Sequence, residues 1–137
     1  MQSLKFLNLK GSHIFQQLRW EEILLRHTKH NWLVWNTGPI DPAIIVGYGG
    51  KAHELVHTDL AERDGIPLIR RYTGGGTVIV DSNSVFSSLI MNAEDASLVP
   101  YPRNIMQWSE DIYAPVFGEL LHPDNVYPIH YTLCSIL

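Results

Sequence analysis

The sequence predicts an α/β (α+β) domain, and three features carry that expectation. Short apolar runs bounded by Gly, Pro and Asn recur along the chain. Stretches with apolar residues at near-helical spacing fall between and after them. One run, Ala43-Ile44-Ile45-Val46, is continuously apolar, as expected of a strand covered on both faces. At 137 residues the chain is one domain and can bury a single sizeable core.

Taken in order, Leu4 to Leu9 reads as a strand ended by Gly11. Ser12 is the expected N-cap of a helix in which Ile14, Leu18, Ile23 and Leu25 recur up to Arg26, with Glu22 and Arg26 as an i,i+4 pair. Trp32 to Trp35 is the next strand, closed by the turn Asn36-Thr37-Gly38-Pro39, and Ala43 to Val46 follows. A helical stretch runs from Ala52 towards Asp64-Gly65, then Ile66 to Ile69 forms a short buried strand. Thr77 to Asp81 alternates, with Val78 and Val80 on one face and Thr77, Ile79 and Asp81 on the other. Ser84 to Met91 is strand-like and Asn92 to Pro102 a polar loop. Ile105, Trp108, Ile112, Val116, Phe117 and Leu120 mark a long amphipathic helix that Pro115 is expected to kink or interrupt.

The chemistry concentrates in Arg70-Arg71-Tyr72-Thr73-Gly74-Gly75-Gly76-Thr77-Val78-Ile79-Val80-Asp81. Three glycines remove every Cβ between two strands, so a ligand can approach the main chain and successive N–H groups can turn towards one anion. Two guanidiniums beside such a turn favour phosphate or carboxylate. The plain alternative is a hairpin with a permissive turn and two solvated arginines.

Two other motifs compete for attention. Gly47-Tyr48-Gly49-Gly50-Lys51-Ala52 fits the Gly-x-Gly-x-x-Ala dinucleotide fingerprint, but a strand, a helix and a strand precede it and a second glycine-rich anion site follows. His53-Glu54-Leu55-Val56-His57 matches the His-Glu-x-x-His zinc pattern. It needs a third ligand, and the segment sits just after the glycine-rich loop; a solvated helix face is the simpler expectation.

Composition narrows the function classes. Apolar residues at 45% and charged residues at 18% describe an ordinary globule. A net charge of −4, without clustered Lys and Arg outside the signature, argues against a nucleic-acid surface. No apolar run approaches the roughly 20 residues of a membrane-spanning helix. Cys134 is alone, so no internal disulfide forms, and it reads as a small apolar side chain. Met1 to Trp20 holds Lys5, Lys10 and Arg19 without an acid, a loose likeness to a mitochondrial transit peptide, yet Leu4 to Leu9 reads equally as a strand. A cytoplasmic location is expected.

The signature resembles the Arg-Arg-x-Ser-Gly-Gly-Gly-x-Val-x-x-Asp motif of the lipoate-protein ligase A family, of the biotin/lipoate ligase fold. Thr73 stands where that family commonly has Ser, and Val80 where it often has His. The likeness also takes in Gln16 to Arg26, Ala43 to Gly47 and Val85 to Asn92. It implies a central mixed or antiparallel sheet flanked by helices, here incomplete, as a partial catalytic domain over 1–122 with a divergent tail at 123–137. Family members activate lipoate with ATP and magnesium to lipoyl-adenylate, then pass the acyl group to a lysine of an acceptor protein. The resemblance assigns nucleotide and acyl contacts to Arg70, Arg71, Gly74, Gly75, Gly76, Thr77, Val78, Ile79 and Asp81. The family places an essential lysine in a later segment resembling Lys-x-x-Gly-x-Ala. Here Lys5, Lys10, Lys29 and Lys51 all precede the signature. The chain is therefore expected to be a truncated or poorly active ligase, or a non-catalytic module that needs a complementing chain. Biotin-protein ligase and octanoyl transferase are the neighbouring alternatives.

Overall fold

The computed structural model describes residues 3–97, 99, 101–117 and 135–136. Among them the chain runs β1 (Leu4–Asn8), α1 (Ile14–His27), β2 (Asn31–Thr37), β3 (Ala43–Val46), α2 (Ala52–Leu55), α3 (Thr58–Arg63), β4 (Leu68–Arg70), β5 (Val78–Val80), β6 (Val85–Met91), α4 (Ala93–Ala96), α5 (Pro102–Phe117) and β7 (Ser135–Ile136). The strands form two mixed sheets. One has the order β1-β2-β6-β7 and the other β4-β3-β5. In the first, β1 is parallel to β2, β2 antiparallel to β6, and β6 parallel to β7. In the second, β3 is parallel to β4 and antiparallel to β5, with Ile44 opposite both Leu68 and Ile79.

Helix α1 joins the two sheets because its inward stripe repeats at Ile14, Gln17, Leu18, Glu21 and Leu24. Ile14 and Leu18 meet Ala43 and Ile45 of β3, Val80 of β5 and Phe86 of β6. Leu24, a turn and a half further on, packs with Val34 and Ile90 of the larger sheet. The outer faces are covered in turn: Ile44 and Val46 lie against Ala61 of α3, and Leu89 against Ile105 of α5. All four residues of β3 are buried, as the continuous apolar run predicts. Full burial of an Ile or Val side chain, such as those of Ile45 and Val46, contributes roughly 1.5–3 kcal/mol.

Several boundaries differ from the sequence reading. His13, not Ser12, is the N-cap of α1, and no side chain caps it. The Ser12 N–H instead closes a turn onto Leu9 O. The helix ends more firmly: Arg26 and His27 lie in its last turn, and Thr28 Oγ1 donates to Leu24 O at 2.8 Å. Arg26 Nε reaches Glu22 at 2.8 Å, the expected i,i+4 pair. The single helical stretch after Ala52 is two short helices, because Val56 turns to an extended conformation at φ −138°. Strand β4 begins at Leu68 rather than Ile66. Four residues of the expected 92–102 loop form α4. Helix α5 starts with Pro102, where a missing N–H costs nothing, and continues through Pro115 as far as Phe117. The far end of that helix and the divergent tail with Cys134 lie outside the described residues, except Ser135 and Ile136, which pair with Ile90 and Met91.

Candidate functional site

The glycine-rich signature leaves the end of β4 and returns as β5, so the triglycine sits at the end of β3 occupied by Val46. The Arg71 N–H continues the ladder by donating to Val46 O at 3.0 Å. Arg71 is 4% exposed, and its side chain turns under the loop, where Nε donates to Gly74 O at 3.0 Å and one terminal nitrogen to Gly76 O at 2.9 Å. Peptide units are planar and trans, so a carbonyl and the following N–H point in opposite directions. Drawing the Gly74 and Gly76 carbonyls onto Arg71 therefore aims the Gly75 and Thr77 N–H groups away from the guanidinium. The other terminal nitrogen of Arg71 is buried without a hydrogen-bond partner among the described residues.

The three glycines meet different demands. Gly75 has φ +102°, a conformation that L side chains rarely adopt. Gly74 and Gly76 have no positive φ, and a Cβ on either would meet nothing within 4 Å. Folding does not require glycine at those two positions.

A second loop lies against the first. A Cβ on Gly47 would stand 2.1 Å from Gly75 O, so only glycine allows the approach. Tyr48 N–H donates to Thr73 O at 2.9 Å and Gly50 N–H to Gly47 O at 3.0 Å. One terminal nitrogen of Arg70 gathers Gly47 O at 3.0 Å, Tyr48 O at 2.9 Å and Gly50 O at 2.6 Å. These carbonyls converge on a cation, the opposite polarity from a loop that cradles phosphate with N–H groups, which answers the dinucleotide fingerprint in physical terms.

Behind Arg71 lies a polar cluster that the sequence reading did not single out. Glu21 accepts hydrogen bonds from Ser88 Oγ and from Gln17 Nε2, the latter at 2.9 Å. Burial raises the Glu21 pKa above its ordinary 4.5, against the lowering effects of those two bonds and of the Arg71 charge. Burial also lowers the Arg71 pKa, while Glu21 opposes it. Both groups thus carry a net desolvation cost that their mutual attraction reduces. The available signal was periodicity: Gln17 and Glu21 interrupt the apolar stripe of α1 at i and i+4.

The remaining candidates separate by face. Val78 and Val80 turn inward to the α1 core, as alternation predicts, and Val80 is 4% exposed beside Ile14 and Phe86. Thr77 and Ile79 line an apolar cavity of about 440 Å³ with Ile44, Leu55, Leu60 and Ile66. Thr77 Oγ1 is buried and has no hydrogen-bond partner among the described residues. Asp81 is at the other end of β5, roughly 10 Å of strand from the triglycine. Its Oδ1 accepts from Asn83 N–H at 2.9 Å and Ser84 Oγ at 3.0 Å, ordering the turn into β6. His53 lies in α2 and His57 beyond its end, so the i,i+4 face required by the zinc pattern does not form. Among the described residues no group of three or more His, Cys, Asp or Glu side chains could hold a metal. Lys51 pairs with Glu54 at 2.9 Å on the surface.

Residues 13–116 match the family described as the lipoyl protein ligase A/B catalytic domain. The chain belongs to that family. A curated relative, the inactive lipoate–protein ligase 2 of Plasmodium falciparum, is 27% identical over 137 residues, covering 80% of this chain and 35% of its own length. A Thermoplasma acidophilum protein described as a lipoate protein ligase, solved with bound lipoic acid, is 30% identical with a TM-score of 0.57, over 65% of this chain and 37% of that one. Lipoate-protein ligase A bound with ATP is 31% identical with a TM-score of 0.54, over 65% and 36%. A bi-partite lipoate protein ligase of T. acidophilum, with its E2 lipoyl domain, has a TM-score of 0.57 at 29% identity, over 65% and 36%. This lipoate-protein ligase-like chain thus spans about a third of the length of each of these four relatives.

Proposed function

We propose that this chain carries the anion-binding part of a ligase site that activates lipoate with ATP to lipoyl-adenylate and passes the acyl group to a lysine of an acceptor protein. The observation that carries the reading is at Gly74 and Gly76. Their backbone conformation and open surroundings allow a side chain, so close approach of a ligand is what the absence of one serves. The family members solved with lipoic acid and with ATP support the choice of ligand.

The chemistry explains what such a loop would do. Bringing a carboxylate to an α-phosphate joins two anions that repel, so positioning and fixed positive potential carry most of the catalysis. Arg71 supplies charge beneath the loop and orients its peptide units before any ligand arrives. The Gly75 and Thr77 N–H groups, aimed away from Arg71, are the donors such an anion would meet. Magnesium would enter on the phosphates of the nucleotide, since Asp81 is held in its turn away from the triglycine.

The ligase's own essential lysine, which the family resemblance places in a Lys-x-x-Gly-x-Ala segment that these 137 residues lack, would come from further polypeptide, and the bi-partite T. acidophilum ligase supports a complementing chain as one source. The inactive P. falciparum relative favours the second reading, a binding module without catalysis. Isothermal titration with ATP and magnesium, and with a lipoyl-adenylate analogue, tests the anion site that both readings share. Gly76→Ala should leave stability within about 0.5 kcal/mol of wild type and weaken binding at least about tenfold. Unchanged binding in that variant, or none in the wild type, would remove the reading.

A further inference from the structure

Arg70 and Arg71 are neighbours in sequence and lie on opposite sides of the small sheet. Arg70 pairs in register with Val46, whose side chain faces α3, whereas Arg71 is buried towards α1 and Glu21. The two guanidiniums therefore cannot close on one anion as a pair. Arg70 has a different set of partners. A single terminal nitrogen, with two hydrogens, meets three carbonyl oxygens, those of Gly47, Tyr48 and Gly50. All three belong to the loop that Gly47 lets down onto Gly75.

We infer that Arg70 is a positioning residue: it folds the Gly47–Gly50 loop around its own charge and so holds that loop as a wall beside the triglycine. Among the described residues the loop makes few other ties, namely Tyr48 N–H to Thr73 O, Gly50 N–H to Gly47 O, and close packing of Gly50 on Val46 and Leu55. Carbonyls pointing at one centre repel each other, so the loop keeps this shape only with a cation in the middle. Any compact cation of suitable reach serves, and a lysine ammonium has three hydrogens for three acceptors. A bidentate grip on phosphate or carboxylate, by contrast, needs the planar fork of arginine and is not reproduced by lysine.

Amide hydrogen exchange on the free chain, with Arg70→Met and Arg70→Lys, separates these roles. The Met variant should exchange the Tyr48 and Gly50 amides about tenfold or more faster than wild type, with the amides of Val34 and Ile45 unchanged as proof of folding. The Lys variant should recover most of that protection. Protection at Tyr48 and Gly50 within about twofold of wild type in the Met variant would overturn the inference. The consequence for ligands rests on the function proposed above: ATP binding, measured by titration in magnesium, should fall in the Met variant and return in the Lys variant. Loss of ATP binding in both variants, with the loop still protected in the Lys variant, would make Arg70 an anion ligand and overturn the inference. A wild type that binds no ATP would sink the proposed function, while the exchange result still decides the role of Arg70.

Discussion

Substituting Gly47 with alanine tests how tightly the two glycine-rich loops are joined. The new methyl would stand 2.1 Å from Gly75 O and 3.0 Å from Gly75 C, both main-chain atoms. Ordinary contact requires the segments to part by roughly 1 Å, and neither side yields freely. On one side, the carbonyls flanking Gly75 are bonded to Arg71. On the other, Gly47 O and Tyr48 N–H are bonded to Arg70 and to Thr73 O. Overpacking costs about 1–3 kcal/mol, and loss of one hydrogen bond adds about 1. The expected destabilisation is about 2–4 kcal/mol, a fall in Tm of roughly 10 °C for a domain of this size. Urea unfolding of wild type and Gly47→Ala gives the difference directly, with Gly74→Ala as the control. That control adds a methyl in open space and should be neutral or more stable by up to about 1 kcal/mol. Gly47→Ala as stable as Gly74→Ala would refute the claimed contact between the loops.

Three further substitutions probe the surroundings of the site. Glu21 has a raised pKa when folded, so its contribution to stability is fully present below the ordinary 4.5 and is lost as pH rises through the folded value; Glu21→Gln, measured by thermal unfolding between pH 4 and 8, should flatten that decline, and a slope as steep as that of wild type would show that another group causes it. Thr77→Val removes a buried hydroxyl with no partner among the described residues. It should raise stability by about 1 kcal/mol in chemical denaturation, and a loss of that size would mean the hydroxyl is bonded. Asp81→Ala removes the acceptor that orders the β5–β6 turn and should cost about 1 kcal/mol in the same assay, without altering ATP affinity by more than about twofold.

Much of the scaffold was legible because it follows from periodicity. The stripe of α1, the unbroken burial of β3 and the alternation of β5 all rest on side-chain spacing, which a sequence displays directly. The triglycine was legible as a bare stretch of main chain between two strands, and the surroundings of Gly74 and Gly76 are open. What escaped depends on groups far apart in sequence. Nothing around Arg70 reveals that its partners are carbonyls some twenty residues earlier, since every residue carries a carbonyl. Gln17 and Glu21 find Ser88 about seventy residues away, and only a polar break in an apolar stripe hints at it. The break at Val56 defeated the zinc pattern for a similar reason: the spacing of the two histidines holds its meaning only on an unbroken helix.

The buried bonding of Arg71 bears on how portable the signature is. Twelve consecutive residues look like a cassette that could be moved into another scaffold. Their loop, however, takes its shape from a guanidinium that needs a carboxylate from the first helix to offset the cost of burial, and from a neighbouring strand whose Val46 carbonyl seats the Arg71 main chain. A transplant of the twelve residues alone would carry the glycines without the charge balance that shapes them, so the smallest transferable unit begins at α1. Searches for distant relatives gain from the same reasoning. An arginine and a triglycine found without an acid at the corresponding turn of the first helix are weaker grounds for kinship than the string of letters suggests.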